Sequence, residues 1–216
     1  MIRPYAPPAG PVQIVHADKD ILVAVKPSGL LSVPGRGPEK ADCLPARLEQ
    51  GFGPLLIVHR LDMETSGLMV LARTRNAQSF LSREFAERRV NKRYVAGIAG
   101  ILAGDFGAVL EPIAADWPNR PLQKIDHENG KPCETRYKVL DHEDGNTVVL
   151  LTPVTGRSHQ LRVHMKAIGH PILGDELYAP PEVLAAAPRL LLHASELGFA
   201  HPGTGEWKRF VASAPF

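Results

Sequence analysis

Short apolar runs recur along the chain and favour strands over helices. Each run is rich in β-branched or other apolar side chains and is bounded by glycine, proline or polar residues, which is typical of strands. The predicted strands are residues 12–15, 21–25, 55–58, 68–73, 93–98, 135–140, 148–151 and 190–199. Since regular helices do not separate them, we predict an α+β fold with a mixed, mainly antiparallel sheet and flanking helices, not a doubly wound parallel sheet.

Two segments follow helical spacing instead. Between residues 76 and 89, apolar side chains recur every three to four positions, which predicts an amphipathic helix. A second helix is expected to begin after Ser158, its predicted N-cap, and to end at Gly169. One face of this second helix carries Leu161, Met165 and Ile168, and another carries His159, Arg162 and Lys166.

Length and composition indicate a single domain with its own core. The chain has 216 residues, of which 44% are hydrophobic, so a buried core is expected without disulfides. We predict an N-terminal tail over residues 1–11 and one catalytic domain over 12–216. Cys43 and Cys133 form neither a disulfide framework nor a zinc motif, which favours the cytoplasm. The apolar runs are too short to span a bilayer, so no membrane association is expected.

The overall charge does not by itself indicate a nucleic-acid partner. The formal net charge is only +2, far from the strongly basic balance of many such proteins. Basic residues are nevertheless concentrated between residues 83 and 93, and again at Arg157, Arg162 and Lys166. Together with Trp117, which lies in a predicted loop, they could form a groove that follows phosphates, although a solvated helix face would show the same pattern.

Asp62 is the candidate for chemistry, because it follows one predicted strand in a charged loop and precedes another. Paired with a cation such as Arg162, an ionised aspartate can act as a nucleophile or stabilise a cationic transition state. A turn-capping role for Asp62 is an alternative. So is a glycosidase in which Glu64 supplies the second carboxylate. No nucleotide-binding or metal-binding motif is present, so neither a metal nor a cofactor is expected.

Four ordered motifs resemble those of the RluA-type pseudouridine synthases. The most specific is HRLD at residues 59–62, followed by TSG at 65–67. The others are KPSGL at 26–30, KRYVA at 92–96, and GRSHQLRVH at 156–164 with GHPILGD at 169–175. This resemblance implies the pseudouridine synthase fold with a central RNA-binding cleft, and an enzyme that isomerises uridine in RNA.

The resemblance also implies roles for single residues. Asp62 matches the catalytic aspartate, Tyr94 the active-site tyrosine that stacks on the target base, and Arg162 the arginine paired with the aspartate. Arg60 matches the residue that enters the RNA stack when the uridine flips out. Four further residues in the matching motifs are expected to contact RNA or line the pocket: His59, Arg157, His159 and Leu161.

The resemblance also implies which RNAs are the substrates. Segments 116–121, 155–158 and 189–194 are most similar to dual-specificity members, which modify 23S rRNA and the anticodon stem-loop of tRNA. The short N-terminal segment leaves no room for a separate RNA-binding domain, so we expect the catalytic domain to select the RNA. We also expect the protein to be a monomer. The alternatives are an rRNA-only synthase, a nucleoside glycosidase and a catalytically silent RNA-binding module.

Overall fold

The structure is a computed structural model that describes residues 5–216, and the chain divides into two compact units. The first unit is Met1–Lys92 with Ala194–Pro215, and the second is Arg93–His193 with Phe216. Residues 1–4 of the predicted tail lie outside the described residues. The single catalytic domain over 12–216 stays a prediction.

Strands outnumber helices among the described residues. In chain order the elements are β1 (Gln13–Ala17), β2 (Ile21–Lys26), α1 (Leu44–Phe52), β3 (Leu56–Ile57), β4 (Ser66–Ala72), α2 (Arg75–Ala86), β5 (Asn91–Ile98), β6 (Phe106–Val109), β7 (Ile113–Ala115), β8 (Gln123–Ile125), β9 (Thr135–Glu143), β10 (Asn146–Pro153), α3 (Gln160–Ala167), α4 (Pro181–Ala185), β11 (Leu192–Ala200) and β12 (Trp207–Val211). Two 3-10 turns, Pro38–Lys40 and Trp117–Asn119, complete the set.

The first unit is built around β2 and β4, whose residues are almost all buried. β2 pairs antiparallel with β1 and with β4, β3 pairs with β4, and β12 pairs with β11. Its core joins Ile21, Val70 and Phe199 to Leu81 of α2. Gly67 in β4 has φ 118°, and a Cβ there would collide with the backbone of Ala194. Only glycine fits this position, which directly follows the loop that carries Asp62.

The second unit contains four antiparallel strands in the order β5-β10-β9-β6, packed against a helix. β10 pairs with β5 and with β9, β9 pairs with β6, and β7 forms a separate hairpin with β8. The core of this unit combines Ala96, Val149 and Leu151 of the strands with Leu161 and Met165 of α3. This packing buries the apolar face of α3, and the polar side chains of the helix lie outside this apolar cluster.

The α+β fold class with a mainly antiparallel sheet is confirmed, while several local predictions need correction. The helix predicted over 76–89 is α2, shifted by a few residues. Ser158 is not the N-cap of the second helix, because α3 begins at Gln160 with His159 in the cap position. The side-chain oxygen of Gln160, the first residue of α3, accepts the N–H of Arg157. This side chain thus supplies a hydrogen-bond partner to the backbone of the loop that precedes the helix. The short helix α4 was not predicted from the sequence.

None of the helices in residues 5–216 combines the length and the apolar character needed to cross a bilayer.

Candidate active site

The loop that presents Asp62 is held from both sides by backbone hydrogen bonds. Leu61 donates its N–H to the Ser32 hydroxyl at 3.1 Å, and the same hydroxyl donates to the Leu61 carbonyl at 2.7 Å. On the other side, the Met63 carbonyl accepts the N–H of Gly29 at 3.0 Å. Because both neighbours are held, the backbone at Asp62 has a defined position in the loop.

Lys26 ties the loop to the segment that follows β2. Its side chain is fully buried, and its ammonium donates to the carbonyls of Pro27 at 2.9 Å, Leu30 at 2.7 Å and Met63 at 2.7 Å. A buried ammonium is costly unless its donors are satisfied, and three carbonyls offset that cost. Lys26 therefore links the KPSGL motif to Met63, the residue that follows the HRLD motif.

His59 lies behind this loop and anchors it to β4. Its ring stacks on Phe85 of α2, with ring centres 4.4 Å apart, and its Nε2 accepts the N–H of Val70 at 3.1 Å. Burial, aided by the charge of Lys92, lowers the pKa of His59 to about 3. The described contacts of His59 are therefore structural, and its predicted RNA contact stays a prediction. Arg60, by contrast, is exposed.

Replacing His59 is expected to flatten the pH dependence of stability. The folded-state pKa lies below the unfolded value of 6.5, so the unfolded chain binds the proton first and stability falls as pH drops from 6.5 toward 3. His59 contributes up to about 1.4 kcal/mol per pH unit in that window. In His59→Gln, whose amide oxygen still accepts the Val70 N–H, urea unfolding at pH 6.5 and 5.0 should show a smaller difference than in the parent. Equal differences in both proteins would contradict this role.

Tyr94 and Leu161 belong to one apolar cluster of the second unit. Tyr94 lies on β5 opposite Leu151 of β10 and packs, half-buried, against the core that contains Leu161. Leu161, at the start of α3, is only 7% exposed. The structure thus brings together the predicted stacking tyrosine and the predicted apolar wall.

Arg162 has a partner that the sequence patterns did not indicate. Its Nε donates to Asp175 Oδ2 at 2.8 Å and its Nη2 donates to Oδ1 at 2.5 Å. The arginine side chain is 4% exposed and the aspartate side chain is fully buried. Gly174 has φ 70°, and a Cβ there would collide with the carbonyl of Arg189, so the turn that delivers Asp175 requires glycine. This bidentate pair fixes the orientation of the guanidinium.

A tyrosine completes the polar side of α3. The hydroxyl of Tyr178 lies 2.6 Å from His159 Nδ1, and the ring lies beneath the guanidinium of Arg162 at 5.1 Å and the ammonium of Lys166 at 5.8 Å. His159 adopts the left-handed conformation with φ 54°, which is uncommon for a residue with a side chain and clusters at functional sites. Arg157, just before it, is exposed.

The predicted site residues therefore form two groups. The first unit holds His59, Arg60 and Asp62, and the second unit holds Tyr94, Arg157, His159, Leu161 and Arg162. Asp175 and Tyr178 join the second group. Asp175 ends the GHPILGD motif, but the contacts of both residues with Arg162 were not predicted, because they lie 13 and 16 residues after it, beyond a helix end. The pairing of Asp62 with Arg162 stays a prediction.

One group of metal-ligating residue types converges within residues 5–216. Asp18, Asp20 and His201 place their potential ligand atoms within 4.8 Å of one another. His201 Nδ1 accepts the N–H groups of Gly203 and Thr204, so its proton is on Nε2, which donates to Asp18 at 3.0 Å. That tautomer points a hydrogen, not a lone pair, at the centre of the group. We assign these residues to a structural network.

The chain is similar to known proteins over most of its length. A family model described as RNA pseudouridylate synthase matches residues 20–167, a range that includes Asp62, Tyr94 and Arg162. The dual-specificity RNA pseudouridine synthase RluA of Yersinia pestis is 51% identical over 204 residues, covering 94% of this chain and 99% of the relative. The protein of the same name from Escherichia coli is 50% identical over 214 residues, covering 98% of both chains.

Solved structures show the same fold. Human RNA pseudouridylate synthase domain containing 1 has a TM-score of 0.84 and 31% identity, covering 98% of this chain and 87% of that one. Human RNA pseudouridylate synthase domain containing 4 has a TM-score of 0.76 and 29% identity, covering 94% and 88%.

Proposed function

Because this chain belongs to the RNA pseudouridylate synthase family, we propose that it converts specific uridines to pseudouridine in both 23S rRNA and the tRNA anticodon stem-loop. Dual specificity is proposed because the relatives named dual-specificity synthases share about half of their residues with this chain over nearly its whole length. The RNA substrate follows from the family, and the two RNA classes are the proposal.

The reaction is an isomerisation that needs no net oxidation or reduction. The N1–C1′ glycosidic bond breaks, the base turns, and a C5–C1′ bond forms while C5 loses a proton and N1 gains one. This balance requires neither a redox carrier nor a nucleotide, in agreement with the proposal that no cofactor takes part. The enzyme must hold the detached base until it rejoins the sugar.

The two groups of site residues divide this work. In our proposal the target uridine leaves the RNA stack, and the exposed Arg60 fills the gap, which offsets part of the few kcal/mol that flipping costs. Asp62, on its fixed loop, attacks C1′ or C6 of the ring or abstracts a sugar proton. Tyr94 stacks on the base and takes part in proton removal, and Leu161 supplies an apolar wall.

Arg162 stabilises the ionised form of Asp62 in this proposal. Asp175 orients the guanidinium of Arg162, because its two carboxylate oxygens bind Nε and Nη2. The direction of the remaining nitrogen, Nη1, is then fixed as well. Arg157 and His159 are proposed to contact the RNA at the N-terminal end of α3.

We further propose a cytoplasmic location, because ribosomal and transfer RNAs are modified there and because both cysteines are free thiols. The protein is proposed to act as a monomer.

Mapping pseudouridine in cells that lack this protein tests the proposed function. We expect uridine to persist at one or more sites in 23S rRNA and at a site in the anticodon stem-loop of tRNA. Expression of the parent chain should restore both classes, whereas Asp62→Asn should restore neither. Persistence of uridine in only one class would contradict dual specificity, and unchanged pseudouridine in both would contradict the function.

A further inference from the structure

Trp117 is exposed on the loop between β7 and β8 and carries an arginine on its face. Its surface is 68% exposed, and the guanidinium carbon of Arg120, which is itself exposed, lies 3.5 Å from the centre of the indole ring. A stacked guanidinium keeps its N–H groups in the plane of the group, where they remain available to oxygen acceptors. The pair therefore offers an aromatic surface and a directed cation within one short loop.

The loop is held rigidly although it is exposed. Asp116 donates its N–H to the Leu122 carbonyl, Asn119 donates to the Asp116 carbonyl, and Leu122 donates to the Asn119 carbonyl, each at 3.0 Å. The side-chain amide of Asn119 also donates to the Asp116 carboxylate at 3.0 Å. A tryptophan fixed in this way loses little conformational entropy when a ligand stacks on it.

The same loop is fastened to the helix that carries the candidate site. Gln123, at the start of β8, donates its N–H to the hydroxyl of Tyr178 at 2.9 Å. That hydroxyl also contacts His159, and the Tyr178 ring packs with Val163 of α3 and with Leu122. Tyr178 thus anchors both the loop that carries Trp117 and the N-terminal end of α3.

We propose that Trp117 and Arg120 form a second RNA-recognition site, in which an unpaired base outside the reacting nucleotide stacks on the indole and Arg120 contacts a phosphate. This inference rests on the proposed function, because the ligand it names is the RNA substrate. Stacking on an exposed aromatic is tolerant of base identity, so the site selects RNA by its shape and its unpaired bases.

The surroundings of Trp117 favour RNA over a protein partner. A stable protein interface requires a broad apolar core, whereas Trp117 is followed by the exposed residues Pro118, Asn119 and Arg120. One aromatic ring bordered by a cation matches the stacking sites of proteins that bind single-stranded nucleic acid.

Trp117→Ala tests the proposal against a matched control on the first unit. Trp207 is the other tryptophan of the chain and is 51% exposed on β12. With unmodified transcripts of tRNA and of 23S rRNA segments, Trp117→Ala should raise Kd and KM about tenfold, with a smaller change in kcat. Trp207→Ala should leave all three constants close to those of the parent. Circular dichroism and thermal unfolding show whether each variant is folded.

Fluorescence provides a readout that a purely structural tryptophan would not give. In Trp207→Phe, Trp117 is the single tryptophan, and its emission should be quenched as either transcript binds because a base stacks on the indole. In Trp117→Phe, the emission of Trp207 should not change on binding.

The outcomes separate this inference from the proposed function. Failure of the parent protein to form pseudouridine in either transcript would contradict the function itself. An active parent with unchanged Kd and KM in a folded Trp117→Ala, or with no quenching of Trp117, would overturn only the second RNA site. Equal effects in Trp117→Ala and Trp207→Ala would overturn it as well.

Discussion

Asp62→Asn is expected to lower the rate of pseudouridine formation by roughly 10⁴-fold or more, the loss typical of removing a central catalytic group. Asparagine has nearly the same size and keeps one oxygen acceptor, but it lacks the negative charge and cannot act as a nucleophile or base. The loop itself should remain in place, because its hydrogen bonds involve the backbone of Leu61 and Met63. Single-turnover assays with saturating enzyme measure the chemical step directly.

Glu64→Gln is the matched control for this variant. Glu64 is the other carboxylate of the same loop, and its Oε2 accepts the hydroxyl of Ser28 at 3.3 Å. A synthase that uses one aspartate should keep activity close to that of the parent in Glu64→Gln. Comparable loss in both variants would instead favour a reaction that needs two carboxylates, and full activity in Asp62→Asn would exclude Asp62 from the chemistry.

Asp175→Asn is expected to destabilise the fold by about 3–5 kcal/mol, the cost of removing one partner of a buried ion pair. The side chains of Asp175 and Arg162 are 0% and 4% exposed, so the arginine would be left charged in a poorly hydrated place. The carboxylate also accepts the N–H groups of Leu177 at 2.9 Å and Tyr178 at 3.2 Å, and an amide cannot replace every acceptor. Urea unfolding at neutral pH measures this loss.

The pair of Arg47 and Asp42 offers a surface control with the same bidentate geometry. Its two N–O distances are both 2.7 Å, and the aspartate side chain is 39% exposed. Water and salt screen such a pair, so Asp42→Asn should cost less than about 1 kcal/mol. A similar loss for both variants would show that burial does not set the strength of the Asp175 pair.

Arg162→Lys keeps the positive charge but loses the two-pronged guanidinium that binds both oxygens of Asp175. This variant should lose activity even under conditions where it is folded.

The strands that the sequence patterns predicted best are those buried on both faces. Every residue of β4 is buried, and β2 is nearly so, which makes each a continuous apolar run. β12 was missed because its residues alternate between exposed and partly buried positions and include two cations. α1 was missed because Pro45 and Gly51 resemble helix breakers, although the proline lies in the first turn, where its missing N–H costs nothing.

In the candidate site, residues within local motifs were predicted, whereas residues that act through long-range contacts were not. Asp62, Tyr94 and Arg162 were predicted because they lie in motifs whose residues are close in sequence. Asp175 and Lys26 were missed as positioning residues because their roles depend on contacts across 13 and 37 residues. The small net charge also proved to be a poor guide to the partner, since the family binds RNA.

Release of tritium from RNA labelled at C5 of uridine tests the central claim most directly. The purified chain, incubated in a metal chelator with unmodified transcripts of tRNA and 23S rRNA, should release tritium in proportion to the pseudouridine formed. The RNA should keep its length and no free uracil should appear, because the base rejoins the same sugar. Free uracil with abasic RNA would indicate a glycosidase, and absence of both tritium and pseudouridine from the parent protein would contradict the assignment as a pseudouridine synthase.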